Sequence, residues 1–256
     1  MKWLFTLFFT LTLAQNIFSK AIPGDFYEIK VYHLKSNEQV KMTEEYLKDA
    51  YLPALHRLKI KTIGVFKPIG NDTAISKSIY VLIPFSSVEA WTKKSGQLKA
   101  DGVYTVAAKN FITADADNPP YERIESILLQ AFTGQSHLVL PAGKNSERVF
   151  ELRSYESPTE NLHEKKMAMF NSDEIEIFSR LGFNPVFYAK VISGNRMPNL
   201  MYMPVFDNIQ QRDAQWKRFG EDAQWKRVSS IPENENKVSV SHIDSILMHS
   251  TEYSDF

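Results

Sequence analysis

The strongest constraint on this chain is that it repeats itself. Phe26-Tyr27-Glu28-Ile29-Lys30-Val31-Tyr32 reads like Val149-Phe150-Glu151-Leu152-Arg153-Ser154-Tyr155. Val65-Phe66 returns as Val186-Phe187, and Ile83-Pro84-Phe85 as Pro204-Val205-Phe206. Arg123-Ile124-Glu125-Ser126-Ile127-Leu128-Leu129 returns as His242-Ile243-Asp244-Ser245-Ile246-Leu247-Met248. The matches keep their order, and the offset drifts only from 123 to 119. Two diverged copies of one unit therefore fill most of the 256 residues. The expected division is a leader at 1–21, a first unit at 22–133, a polar linker at 134–147 with Pro141 and Gly143, and a second unit at 148–256.

Each unit shows the same order of elements. A strand at 26–33 precedes a helix over 37–58, whose Val40, Leu47, Tyr51, Leu55 and Leu58 recur on one face of a 3.6-residue period. Ser36 with Gln39 forms a capping box, and Pro53, which lacks a backbone donor, predicts a kink or break. Strands follow at 63–69 and 78–85, then a helix from Ser87 and a strand at 123–132. In the second copy the helix is expected to break at Asn171-Ser172-Asp173, with strands at 185–192, 200–206 and 238–249. The order β-α-β-β-α-β, twice, is the ferredoxin-like plan. Such a sheet covers one face with helices, and two sheets can bury their bare faces against each other. The fold class is thus α+β, with two tandem ferredoxin-like units closing an α/β barrel within one chain.

Alternation along the first strand of each copy puts Tyr27, Ile29 and Val31 opposite Glu28, Lys30 and Tyr32. The second copy likewise sets Phe150, Leu152 and Ser154 against Glu151, Arg153 and Tyr155. With the apolar set assigned to the helices, the Glu–base–Tyr set faces the opposing sheet. Buried charges need partners, so Glu28 with Lys30 and Glu151 with Arg153 are expected to pair. Two readings stay open: a site for a small polar or aromatic ligand between the sheets, or ion pairs near a solvated barrel mouth that fix register. Tyr188 and Tyr202 are further candidates for the same lining.

Composition excludes several functions. There are no cysteines, hence no disulfide, thiolate nucleophile or iron–sulfur cluster. Lysines plus arginines equal aspartates plus glutamates at 30 each, so no nucleic-acid partner is expected. Ala214-Gln215-Trp216-Lys217-Arg218 recurs as Ala223-Gln224-Trp225-Lys226-Arg227, which reads as packing tryptophans with solvated basic neighbours. No two of the six histidines have the spacing of a helical metal pair, and no HExxH, GxSxG or glycine-rich phosphate loop occurs. Neither a metal nor a cofactor is expected. His56 should be solvent-exposed, His163 should lie at the edge of an apolar helix face, and His242 should share a strand face with Asp244.

Lys2, the apolar run Trp3–Leu13 and Ser19-Lys20-Ala21 have the form of a cleavable export signal. The run is shorter than the roughly 20 residues a membrane span needs, so the mature chain is expected in the periplasm or secreted, without a span. Asn71-Asp72-Thr73 is a glycosylation triplet in a eukaryotic secretory route.

The second half carries a larger set: Val149–Tyr155, then Phe170-Asn171-Ser172-Asp173-Glu174-Ile175-Glu176-Ile177-Phe178, Asn184-Pro185-Val186-Phe187-Tyr188, and Met197-Pro198-Asn199-Leu200-Met201-Tyr202-Met203. Together these resemble the NIPSNAP family, in its exported tandem-domain bacterial form. The first half matches mainly through Phe26–Tyr32 and Gly64-Val65-Phe66. The resemblance implies a dimeric α/β barrel fold, a superfamily that includes small monooxygenases and haem-processing proteins. It supplies no catalytic motif. Three functions remain open: an exported binding protein with a small-molecule site between the sheets, a monooxygenase-like or isomerase-like enzyme, and a structural or interaction module. Homo-oligomers formed through sheet edges or helices are also left open.

Overall fold

The computed structural model describes residues 24–143 and 145–256, so the expected export segment lies outside the described residues. The first copy runs β1 (Phe26–Leu34), α1 (Asn37–Tyr46), a π-helical turn (Leu47–Tyr51), α2 (Leu52–Arg57), β2 (Gly64–Pro68), β3 (Lys77–Phe85), α3 (Val88–Ala100), α4 (Gly102–Ala107), α5 (Lys109–Ile112) and β4 (Arg123–Ala131). The second runs β5 (Val149–Glu156), α6 (Glu160–Met169), a π-helical turn (Phe170–Glu174), α7 (Ile175–Arg180), β6 (Asn184–Ser193), β7 (Asn199–Phe206), α8 (Ile209–Glu221), α9 (Ala223–Ser229), α10 (Asn236–Ser239) and β8 (His242–Ser250).

Matching side chains start matching helices. Ser36 and Thr159 cap α1 and α6, Ser87 and Asn208 cap α3 and α8, and Asp101 and Asp222 cap α4 and α9. Each accepts from an otherwise orphaned amide of the first turn. The break expected at Asn171–Asp173 is a π-helical turn, and a matching turn ends two residues before Pro53; the helices continue through both. Pro53 falls in the first turn of α2, where a missing donor is tolerated. The second copy makes the same turn without a proline, so the proline does not cause it. The strand expected from Val238 begins only at His242. Residues 236–239 close a helical turn instead, in which the Ser239 hydroxyl donates to the Glu235 carbonyl at 3.1 Å.

The eight strands close in the order β1-β3-β2-β8-β5-β7-β6-β4, and every pairing is antiparallel. The copies join along β2–β8 and β4–β6. Closure leaves no free sheet edge in the barrel, which removes edge pairing as a route to oligomers.

An eight-stranded barrel is just wide enough for its own side chains to fill. Tyr27, Ile29 and Val31 of β1 meet Phe66, Leu129, Phe150, Leu152, Phe187 and Met203 inside it. This reverses the expected strand phase. The apolar set of β1 and β5 points into the barrel, and Glu28, Lys30, Tyr32, Glu151, Arg153 and Tyr155 point outward beneath the helices. Alternation separates the two sets without saying which face is which, and here both faces are buried. The Glu–base–Tyr residues therefore do not line a site between the sheets; the interior is a largely apolar core, with a cavity of about 200 Å³ at one end lined by Ile29, Val31, Leu152, Ser154 and Met201 among others. Phe256 closes one end of it, 5.4 Å from the ring of Phe66 and 5.9 Å from that of Phe150. The chain is tied there by the Asp255 carboxylate, which accepts from the Ile63 amide at 2.7 Å.

Phe256→Ala should cost about 3 kcal/mol through lost burial and a residual cavity, read as a lower urea midpoint with an unchanged slope.

Candidate functional site

Outside the barrel, both copies build the same carboxylate clamp. Lys30 lies opposite Ser126 of β4, and Arg153 lies opposite Ser245 of β8. Each serine donates to the glutamate of its copy at 2.7 Å: Ser126 to Glu28 and Ser245 to Glu151. The covering helix then supplies a cation. Lys94 of α3 pairs with Glu28, and Arg212 of α8 donates to Glu151 at 2.7 and 3.0 Å. Burial raises the pKa of both acids, but these partners more than offset it and hold both carboxyls below their ordinary value. The acids are 3% and 0% exposed, so both stay charged only through their partners.

The copies differ in what else fills the space. In the second copy, Trp216 donates its indole N–H to Glu151 at 2.8 Å, and Arg153 pairs with the same carboxylate. The Arg153 guanidinium lies over the Trp216 ring at 4.6 Å and donates to the Tyr155 hydroxyl at 3.0 Å. Tyr155 and Tyr202 share a hydrogen bond of 2.9 Å. The Tyr188 ring stacks on that of Phe178, 6.2 Å away. The expected residues of this half are thus brought together, in a packed cluster under α8.

In the first copy the same space is open. A cleft of about 580 Å³ lies over β1, lined by Glu28, Lys30, Tyr51, Trp91, Lys94 and Ser95 among others. Aligning the helices on their caps, Ser87 and Asn208, puts Ser95 where the second copy has Trp216. The first copy thus has a hydroxymethyl group where the second has an indole, and the same alignment puts Trp91 of the cleft wall where the second has Arg212. The expected Glu28–Lys30 pair is not formed; Glu28 goes to Lys94, and the Lys30 ammonium sits 5.1 Å from the ring centre of Tyr51 and 5.6 Å from that of Tyr32. Burial lowers the pKa of Lys30; the nearby Glu28 opposes this, and Lys94 adds to it. Tyr32 itself lies deeper, edge-on to Phe111 and Tyr121.

The π-helical turns bring the last divergent pair into place. Tyr51 ends one turn and Glu174 ends the other. The Tyr51 hydroxyl and the Glu174 Oε2 atom are buried without a hydrogen-bond partner among the described residues. Burial pushes the Glu174 carboxyl up to about 7, with Lys166 and Arg153 opposing. Lys166 is itself 1% exposed, donates to Asn236 at 3.0 Å, and has its pKa lowered by burial.

Sequence reasoning missed Lys94, Ser95, Arg212, Trp216, Lys166 and Glu174. Ser126 and Ser245 stand in the matched terminal strands, where their equivalence was visible. Trp216 was read as packing alone, and nothing along the chain pairs it with Glu151. His56 is exposed and bonds Asp255 at 2.9 Å, whereas His163 is buried. His242 meets Asp244 at 3.0 Å. Glu156, His242 and Asp244 have ligand atoms within 4.8 Å of one another, with Arg196 already paired to both acids. Asn71 of the glycosylation triplet is 4% exposed and accepts from the Ser78 amide at 2.8 Å.

Comparison with solved structures defines the class. A proposed monooxygenase from Lactobacillus acidophilus NCFM matches over 89% of this chain and 94% of its own, with TM-score 0.56 and 11% identity. A second, from Fusobacterium nucleatum, matches over 90% and 94%, with TM-score 0.56 and 7% identity. An anthrone oxidase-like protein matches over 90% and 92%, with TM-score 0.54 and 9% identity. At these identities the likeness concerns the fold, a dimeric α/β barrel completed within one chain. Residues 150–255, nearly the whole of the second copy, match the NIPSNAP family model. No curated protein matches the chain significantly. Among the described residues, no helix is long and apolar enough to cross a membrane.

Two measurements check the electrostatics. Glu151→Ala leaves Arg153 and Arg212 without their shared carboxylate and should cost about 3–5 kcal/mol in chemical unfolding. The folded Glu174 carboxyl keeps its proton to about 7, whereas the unfolded one releases it near 4.5. Its stabilisation is full below the unfolded value and is lost as pH rises to about 7, a fall on the order of 3 kcal/mol. Glu174→Gln should flatten that fall when unfolding is followed from pH 4.5 to 7.5.

Proposed function

We propose that this is an exported small-molecule-binding protein whose ligand occupies the cleft of the first copy, between β1 and α3. The observation that carries the reading is the contrast between copies: one scaffold, filled by Trp216 in the second and left open at Ser95 in the first. A cleft of about 580 Å³ falls within the range of small-molecule sites, and it combines aromatic walls with a few convergent polar groups. The second copy then serves as the structural partner that completes the barrel. Export rests on the leader-like first 21 residues. A monooxygenase-like or isomerase-like enzyme is the second reading. It is favoured by the presence of an acid and a base, Glu28 and Lys30, in the lining of the same cleft.

Ser95→Trp copies the second half's plug into the first. It should leave the melting temperature within a few degrees of wild type and abolish binding of cleft ligands found by thermal-shift screening. Ligands that bind this variant as tightly as wild type would sink the reading. Oxygen uptake with such a ligand, absent in Ser95→Trp, would favour the enzyme.

A further inference from the structure

We propose that the ligand of the first-copy cleft is a planar aromatic molecule carrying one anionic oxygen group, a carboxylate or a phenolate. The inference rests on the reading of that cleft as the binding site.

The charges on its wall do not balance. Glu28 is the one carboxylate in the lining, and it is taken up by Lys94 and Ser126. Lys30 also lines the cleft, and its ammonium has no hydrogen-bond or ion-pair acceptor among the described residues. With Lys99, which also lines the cleft, three lysines thus share a wall with one carboxylate. In the second copy Arg153 and Arg212 share Glu151, Arg153 also reaches the Tyr155 hydroxyl and Arg212 also reaches Asp213, so neither cation lacks an acceptor there. A half-buried cation gains most from a partner that also excludes water, and a ligand anion supplies both.

The rest of the wall selects the body of the ligand. Tyr46, Tyr51, Trp91 and Tyr104 line the cleft with rings. Tyr46 is held between neighbours, its ring stacked 3.9 Å from that of Phe111 and 5.5 Å from that of Tyr51, and its hydroxyl 2.9 Å from that of Tyr104. Flat aromatic walls favour a flat aromatic guest, through offset or edge contacts of the two π systems. The Tyr51 hydroxyl is buried without a partner among the described residues, and the Lys30 ammonium lies over that residue's ring, 5.1 Å from its centre. An aliphatic acid would satisfy Lys30 alone, and a neutral aromatic would satisfy the rings alone.

Isothermal titration of the full chain with 2-naphthoate, naphthalene-2-methanol and octanoate separates these terms. The naphthoate should bind at least tenfold more tightly than either of the others. Lys30→Met should erase the preference for the naphthoate over the alcohol while leaving the alcohol's affinity within about twofold. Lys30→Gln serves the same purpose if the methionine variant does not fold. Equal binding of all three probes, or no binding of the naphthoate, overturns the proposed ligand class. If the probes bind equally and Ser95→Trp abolishes all of them, the cleft remains the site and only the class is wrong. If the naphthoate binds but Ser95→Trp leaves it unchanged, the cleft itself is wrong, and the class inferred from its walls falls with it.

Discussion

A carboxylate buried between a sheet and its covering helix must be neutralised by what surrounds it, and this chain meets that requirement twice. Glu28 and Glu151 sit at the same position of β1 and β5, each bonded by a serine from the neighbouring strand and each reached by a cation from the helix above. That arrangement couples three elements that are far apart in sequence. It fixes the rotation of α3 and α8 about their axes, because Lys94 and Arg212 must point down. It also decides which neighbouring groups are left free, and the candidate site follows from that remainder.

The divergence of the copies has a simple physical form. In the second, the clamp is saturated: Arg153, Arg212, Trp216 and Ser245 all reach Glu151. Nothing is left over for a ligand, and the indole occupies the volume one would need. In the first, Ser95 leaves that volume empty and Lys30 is not consumed by the clamp. The family match thus falls on the copy that is closed, and the open cleft belongs to the copy outside the matched residues. A duplicated unit that closes its own barrel allows this division, since one half can hold the fold while the other changes its surface.

Much of the architecture was legible in the sequence. The repeat fixed the order of elements, the apolar period set the long helix at 37–58, and strand alternation sorted Glu28, Lys30 and Tyr32 onto one face. The direction of that face was not legible. In a closed barrel both faces of a strand are dry, so polarity no longer distinguishes inside from outside. Tyr27 and Phe150, polar-tipped and apolar respectively, both belong to the interior. The long-range partners were also hidden, because nothing local to Trp216 or Lys94 announces a carboxylate more than 60 residues away. The π-helical turns at 47–51 and 170–174 left only indirect traces, in the form of an apparent break and a proline.

The central claim is that binding belongs to one copy and lies outside the barrel. Hydrogen exchange of backbone amides, mapped along the chain with and without saturating 2-naphthoate, tests this most directly. The account predicts slowed exchange concentrated in residues 47–57 and in α3, with α6, α8 and α9 unchanged. Protection centred on α8, or spread through the interior-facing strands without α3, would contradict it.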